Sequence, residues 1–197
     1  MEKKILIIID AQRDFCDKNG ALYVPNAEIA IDNIISFINE NKEMIEQVVF
    51  TTDNHPADHC SFKKNGGIWP EHCVQHTYGR AIMLPLLECC DDNDLLINVI
   101  KKGENKDEEE YTAFSRSEKI GNTVILKSAT DSLTVDIDKF IVCGFAGDYC
   151  VKDSIADLIK VVGAENVEVF KAGIANIDSG YALNEFCEDN NIKSIDL

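Results

Sequence analysis

A few side chains in this 197-residue chain fall where chemistry could be done. Cys150 lies in Gly144-Phe145-Ala146-Gly147-Asp148-Tyr149-Cys150-Val151, between an apolar run at 140–143 and a segment, 151–162, whose apolar residues recur with helical spacing. That pattern puts the thiol at a strand-to-helix turn on the carboxyl edge of a sheet, where open α/β folds assemble their sites. A helix N-terminus offers unpaired N–H groups and partial positive charge, which favour thiolate over thiol and can hold an oxyanion. Ala146 and Gly147 are small enough to let the backbone approach a substrate. A cysteine opening a core helix can equally be a small buried hydrophobe. Its role depends on the groups that meet it.

Several such groups end apolar runs. Asp10 closes the run at 4–9, and Asp53-Asn54-His55 follows Val48-Val49-Phe50. On extended backbone, residues two apart share a face, so Asp53 and His55 can point the same way. The following stretch, 56–79, is rich in Pro, Gly, His and Asn and holds His59, His72 and His76. Loops of that length in compact domains are usually functional or disordered. A carboxylate with several imidazoles is a ligand set suited to zinc, manganese or iron. Lys101 and Lys102 end a third apolar run, and at least one of them is a solvated edge residue.

The elements that must position these groups alternate. Strands are expected at 4–9, 47–52, 95–100, 139–143, 166–170 and 192–195, and helices at 26–43, 151–162 and 183–188. Asn26, after Pro25, is the expected N-cap of the first helix. The unbroken apolar character of 4–9 suits a parallel strand covered on both faces. Residues 123–126 could form a short strand, although continued alternation calls for a helix within 121–133. The acidic run 104–110 reads as a solvated turn. Together these features predict a three-layer α/β/α fold with a mainly parallel, doubly wound sheet, residues 1–197 forming a single domain.

Composition narrows the function. A hydrophobic content of 45% is enough for one well-buried core at this length. A net charge of −16 argues against nucleic acid as a partner, because such binding depends on Lys and Arg displacing counterions from phosphates. The short apolar run after Met1-Glu2-Lys3-Lys4 is too brief for a signal-peptide core or a membrane span, so a cytoplasmic protein without a membrane partner is expected. The eight cysteines are irregularly spaced and form no CxxC pair, which suits reduced thiols.

Taken in order, Asp10-Ala11-Gln12-Arg13-Asp14-Phe15, Asp53 to His59, Trp69-Pro70-Glu71-His72-Cys73-Val74-Gln75, Lys102-Gly103, Tyr111-Thr112-Ala113-Phe114 and Gly144 to Val151 resemble the nicotinamidases of the isochorismatase-like cysteine hydrolases. The Trp-Pro-x-His-Cys segment draws the likeness toward the nicotinamidases; isochorismatases proper, which lack the nucleophilic cysteine, resemble it less. The resemblance implies a catalytic triad of Asp10, Lys102 and Cys150, and a divalent metal, zinc first and manganese or iron as alternatives, held by Asp53, His55 and His72 with waters. His59 matches a family histidine that is a ligand only in some members. Phe15, Trp69 and Tyr111 fall where the family lines the pyridine pocket. The resemblance also implies a cis peptide between Phe145 and Ala146, which would aim the N–H groups of Ala146 and Cys150 at an oxyanion. Lys102 is preferred to Lys101 because the family lysine directly precedes the glycine, and His76 receives no role.

The activity so implied is hydrolysis of nicotinamide to nicotinic acid and ammonia through a Cys150 thioester, a step of NAD salvage, with homo-oligomer formation left open. Two alternatives stand beside it. One is a related cysteine amidase for another small amide. The other is a non-catalytic metal-binding or redox protein, which the absence of CxxC disfavours.

Overall fold

The computed structural model describes residues 2–196. In chain order the strands are β1 (Lys4–Ile9), β2 (Ile45–Asp53), β3 (Leu96–Lys102), β4 (Glu118–Ile120), β5 (Thr123–Lys127), β6 (Ser132–Val135), β7 (Phe140–Gly144), β8 (Val167–Ile174) and β9 (Lys193–Ile195). The α-helices are α1 (Arg13–Cys16), α2 (Ala27–Asn41), α3 (Leu84–Asp92), α4 (Lys152–Val162) and α5 (Tyr181–Asp189). Six strands form one sheet in the order β3-β2-β1-β7-β8-β9, every neighbouring pair parallel. The sheet winds outward in both directions from β1 and β7. Their carboxyl ends therefore flank the switch point, where a crevice opens in folds of this kind.

Alternation along β1 explains the three layers. Leu6 and Ile8 join α2, α3, Phe50 and Phe170 on one face, while Ile5, Ile7 and Ile9 join α4 and α5 on the other. All five of these β1 residues are fully buried, as a strand with helices on both sides requires. The layered α/β/α architecture expected from the chain is present, with helices covering both faces of the sheet.

Three local features add to or depart from the expectations. No helix forms within 121–133; β4, β5 and β6 make a small antiparallel sheet instead. Val124, Leu126 and Val135 are buried in the core shared with α4 and Leu133 packs against it, so along β5 and β6 the apolar period is two. Asn26 is the N-cap of α2 by position, as expected, but it sits in the left-handed region and makes no side-chain capping bond; separately, Tyr23 OH donates to the first-turn carboxylate of Glu28. Helix α3, which the sequence reading left unassigned, starts at Leu84 with Pro85 in its first turn, where a missing N–H costs nothing.

Candidate active site

Four parallel strands deliver their last residues to the same edge. Asp10 follows β1, Asp53 ends β2, Lys102 ends β3, and the turn after β7 carries Cys150. Residue parity decides between the two lysines. At the end of β3 the side chains alternate out and in, so Lys101 is exposed whereas Lys102 is fully buried.

Lys102 is the hub. Its Nζ lies 2.9 Å from Asp10 Oδ2, bonds Asp53 Oδ1, and stands 3.5 Å from Cys150 Sγ. Burial would strip the ammonium of its proton, but the charges of Asp10 and Asp53 outweigh that and hold it well above the usual lysine range. Asp53 shows the converse: burial pushes it up, yet Lys102 and then His55 pull it well below the usual carboxylate range. Asp10 remains raised, because burial outweighs Lys102 and Asp53 adds to the rise. Thr51 Oγ1 donates to Asp10 Oδ1 at 2.7 Å. Asp10 Oδ2 accepts no well-aligned hydrogen bond despite the nearby ammonium, which leaves a lone pair for another proton.

Cys150 sits in a π-helical turn, Gly147–Val151, that precedes α4. The peptide between Phe145 and Ala146 is cis. The helix start is not the largest influence on the thiol. Burial raises the thiol well above its usual range; Lys102 opposes this, but Asp10 and Asp53 push it further up. Low dielectric and two carboxylates outweigh one helix end.

Asp53, His55 and His72 converge, with one ligand atom from each lying within 4.8 Å of the others. Asp53 Oδ2 is 3.4 Å from His55 Nε2 and 3.7 Å from His72 Nε2. The Nδ1 of His55 faces Gly103 O at 2.9 Å and that of His72 faces Pro70 O at 2.8 Å. A carbonyl can only accept, so each Nδ1 carries the hydrogen, and in the neutral ring each Nε2 is left with a lone pair on the side of the carboxylate. Converging lone pairs of this kind call for a cation between them, and the donor set fits a divalent transition metal. His59 differs: Ser61 N–H donates to its Nδ1 and its Nε2 donates to Glu108 O, so both ring nitrogens are engaged. Burial, with His55 beside it, lowers the His59 pKa to about 4.

Two groups that support this cluster were not legible in the sequence. Gln12 clamps the backbone of Asp53, accepting its N–H and donating to its carbonyl, each at 2.8 Å. Such a contact across 41 residues leaves no trace in local pattern. Tyr149, one residue before the thiol, completes an aromatic wall: its ring meets Trp69 edge-on at 5.0 Å, and Trp69 Nε1 donates to Tyr111 OH at 3.0 Å. Phe15 packs on His72 with centroids 5.4 Å apart. These aromatics, with Leu22, Ile177, Glu109 and Glu110, line a cleft into which Cys150, Asp53, His72 and Ala146 also face. Its lining combines apolar and aromatic side chains with a few polar groups, the usual make-up of a small-molecule site. His76 stands outside it.

A buried thiol beside a carboxylate–ammonium pair, next to a metal-ligand cluster on an α/β switch point, defines a cysteine hydrolase type of site. Residues 4–161 match the isochorismatase domain, and the chain belongs to the isochorismatase family. Within it, the chain is 33% identical over 205 residues to a nicotinamidase of Escherichia coli, the match covering 94% of this chain and 91% of that one. The fold superposes on a pyrazinamidase of Pyrococcus horikoshii in complex with zinc, with TM-score 0.77, 28% identity and 99% coverage of both chains. It likewise superposes on the yeast nicotinamidase bound to the inhibitor nicotinaldehyde, with TM-score 0.75, 25% identity and coverage of 98% of this chain and all of that one.

Proposed function

We propose that the protein hydrolyses nicotinamide to nicotinic acid and ammonia, with Asp10, Lys102 and Cys150 as catalytic groups and Asp53, His55 and His72 as ligands of a divalent metal. The observation that carries this reading is that the Cys150 thiol and the metal-ligand cluster open into one aromatic-walled cleft. The related nicotinamidases support the substrate, and the zinc-bound pyrazinamidase supports a metal. Zinc is the ion we assign, with manganese and iron as the alternatives that add-back distinguishes. A bound metal would supply a Lewis-acid anchor for the pyridine nitrogen, fixing the ring's orientation.

The rest of the work falls to the chain. Trp69, Tyr111 and Phe15 hold the ring and keep water from its faces. As Cys150 Sγ attacks the carboxamide carbon, Asp10 takes the thiol proton; its raised pKa makes it a better acceptor than an ordinary aspartate. The developing oxyanion meets the backbone N–H groups of Ala146 and Cys150. Asp10 then gives the proton to the leaving nitrogen, the C–N bond breaks, and ammonia departs from a Cys150 thioester. Water attacks the thioester, its proton passes through Asp10 to sulfur, and nicotinic acid leaves. Lys102 holds Asp10 in place and balances its charge throughout.

Both hydrophobic clusters pack on one sheet, so we read residues 1–197 as one domain. The reaction places the protein in NAD salvage, and we assign it to the cytoplasm. No helix among the described residues is long and apolar enough to cross a membrane.

The test is ammonia release from nicotinamide by purified protein, before and after chelation and with metal restored. Release should fall on chelation and return with zinc. Protein with a reduced Cys150 that releases no ammonia under any of the three metals would overturn the reading. His72→Ala should lower bound metal and raise KM, since one of three side-chain ligands is lost; unchanged metal content by elemental analysis would remove His72 from the ligand set.

A further inference from the structure

The small antiparallel sheet, and the acidic run before Tyr111, have no part in the chemistry above. Their contacts converge on one turn. Glu110 is 6% exposed although it lies in a charged stretch, and both its oxygens are used. Oε2 accepts the Gly103 N–H at 2.9 Å, and Oε1 accepts the Ala129 N–H from the β5–β6 turn at 3.2 Å. The other side of the same glycine serves the metal cluster, since Gly103 O accepts the Nδ1–H of His55 at 2.9 Å. Gly103 has φ +66°, and a Cβ there would collide with the His55 ring, so the turn packs directly on the imidazole.

The β5–β6 turn braces this arrangement from outside. Ser128 Oγ donates to Lys101 O at 2.7 Å, and Asp131 Oδ2 accepts the Lys101 N–H at 3.2 Å. Glu104 accepts Asn54 Nδ2 at 2.6 Å with one oxygen and Thr130 Oγ1 at 2.5 Å with the other. The backbone that carries Lys102 is thus held from β2 on one side and from the small sheet on the other. Glu110 is the buried side chain that joins Gly103, the small sheet and the pocket wall at Tyr111.

Resting on the reading of Asp53, His55 and His72 as metal ligands, we propose that Glu110 is a positioning residue: by gripping Gly103 it fixes the carbonyl that keeps His55 in its Nδ1–H tautomer, and so presents Nε2 to the metal. Without it the buried Gly103 N–H and the half-buried Ala129 N–H lose their acceptor, the Gly103 peptide can turn, and the imidazole loses the contact that orients it.

The test compares wild type, Glu110→Ala and Glu110→Gln by zinc dissociation constant, using competition with a chromophoric chelator, and by the His55 tautomer of metal-free protein, using nitrogen-15 NMR. Glu110→Ala should weaken zinc binding roughly 10-fold or more, the usual cost of losing an outer-shell partner, and shift His55 to a mixture of tautomers. Glu110→Gln keeps one acceptor oxygen for two N–H groups and should fall between. Ile31→Ala, a cavity on the far face of the sheet, should lower Tm and leave both readouts unchanged. Wild-type zinc affinity and a single Nδ1–H tautomer in Glu110→Ala, or in Glu110→Gln should the alanine variant not fold, would overturn the proposal. Wild-type protein that binds no zinc would overturn the ligand assignment, while the tautomer measurement would still decide the link from Glu110 to His55.

Discussion

Cys150→Ala should leave a folded, metal-loaded protein whose turnover of nicotinamide is lower by at least roughly 10⁴-fold, the scale on which loss of a covalent nucleophile is felt. The substitution removes one sulfur from a site that is 7% exposed and leaves Asp10, Lys102 and the ligand cluster in place. Residual turnover within tenfold of wild type would rule out a thioester route. The resting state of the same thiol has a second expected signature. Burial and two neighbouring carboxylates hold its pKa well above the ordinary value, so the thiolate fraction grows only as pH rises past the usual cysteine range of about 8.5. The rate of alkylation of Cys150 in the free protein should therefore keep climbing through that range. A rate already at its plateau at pH 6 would mean a resting thiolate, and would move the proton-acceptor role away from Asp10.

Lys102→Met should be costly to both activity and stability. The side chain is fully buried and bridges Asp10 and Asp53, and its removal leaves two carboxylates in low dielectric with no ammonium between them. Breaking such a buried arrangement typically costs about 3–5 kcal/mol. The measurement is denaturant unfolding in the presence of chelator, so that metal does not stand in for the lost charge. Its pH dependence carries the sign. In the wild type Asp53 is lowered well below its unfolded value, so its contribution is fully present above that value, near 3.8, and is lost only as pH falls through the lower folded pKa. In the variant both carboxylates become easier to protonate folded than unfolded, so the variant recovers stability relative to wild type as pH falls from 7 toward 4. A deficit that stays constant over that interval would contradict the electrostatic account. Lys101→Met is the companion control: that side chain is exposed, and its loss should change stability by no more than about 0.5 kcal/mol and leave turnover intact.

The contrast between these two lysines shows how the site divides between sequence and structure. The sequence by itself determined the apolar runs that become parallel strands, and it placed Asp10, Asp53, His55 and Cys150 at or beyond their ends, because burial on two faces and punctuation by polar residues are local properties of the chain. Family likeness in Lys102-Gly103 pointed to one lysine of the pair, and strand parity puts that one inward.

Other features could be decided only by tertiary structure. The segment 118–135 has short apolar runs of ambiguous period, and its antiparallel pairing follows from the space left beneath α4 and beside β3. Gln12 and Glu110 act through hydrogen bonds to backbone groups, which carry no side-chain signature to match. The setting of the Cys150 thiol likewise exceeds what its place at a helix start conveys, because the helix end is a local field whereas desolvation and two carboxylates arrive from β1, β2 and the closed core. Position along a strand is written in the chain; the dielectric and the charges that surround a group exist only once the strands are side by side.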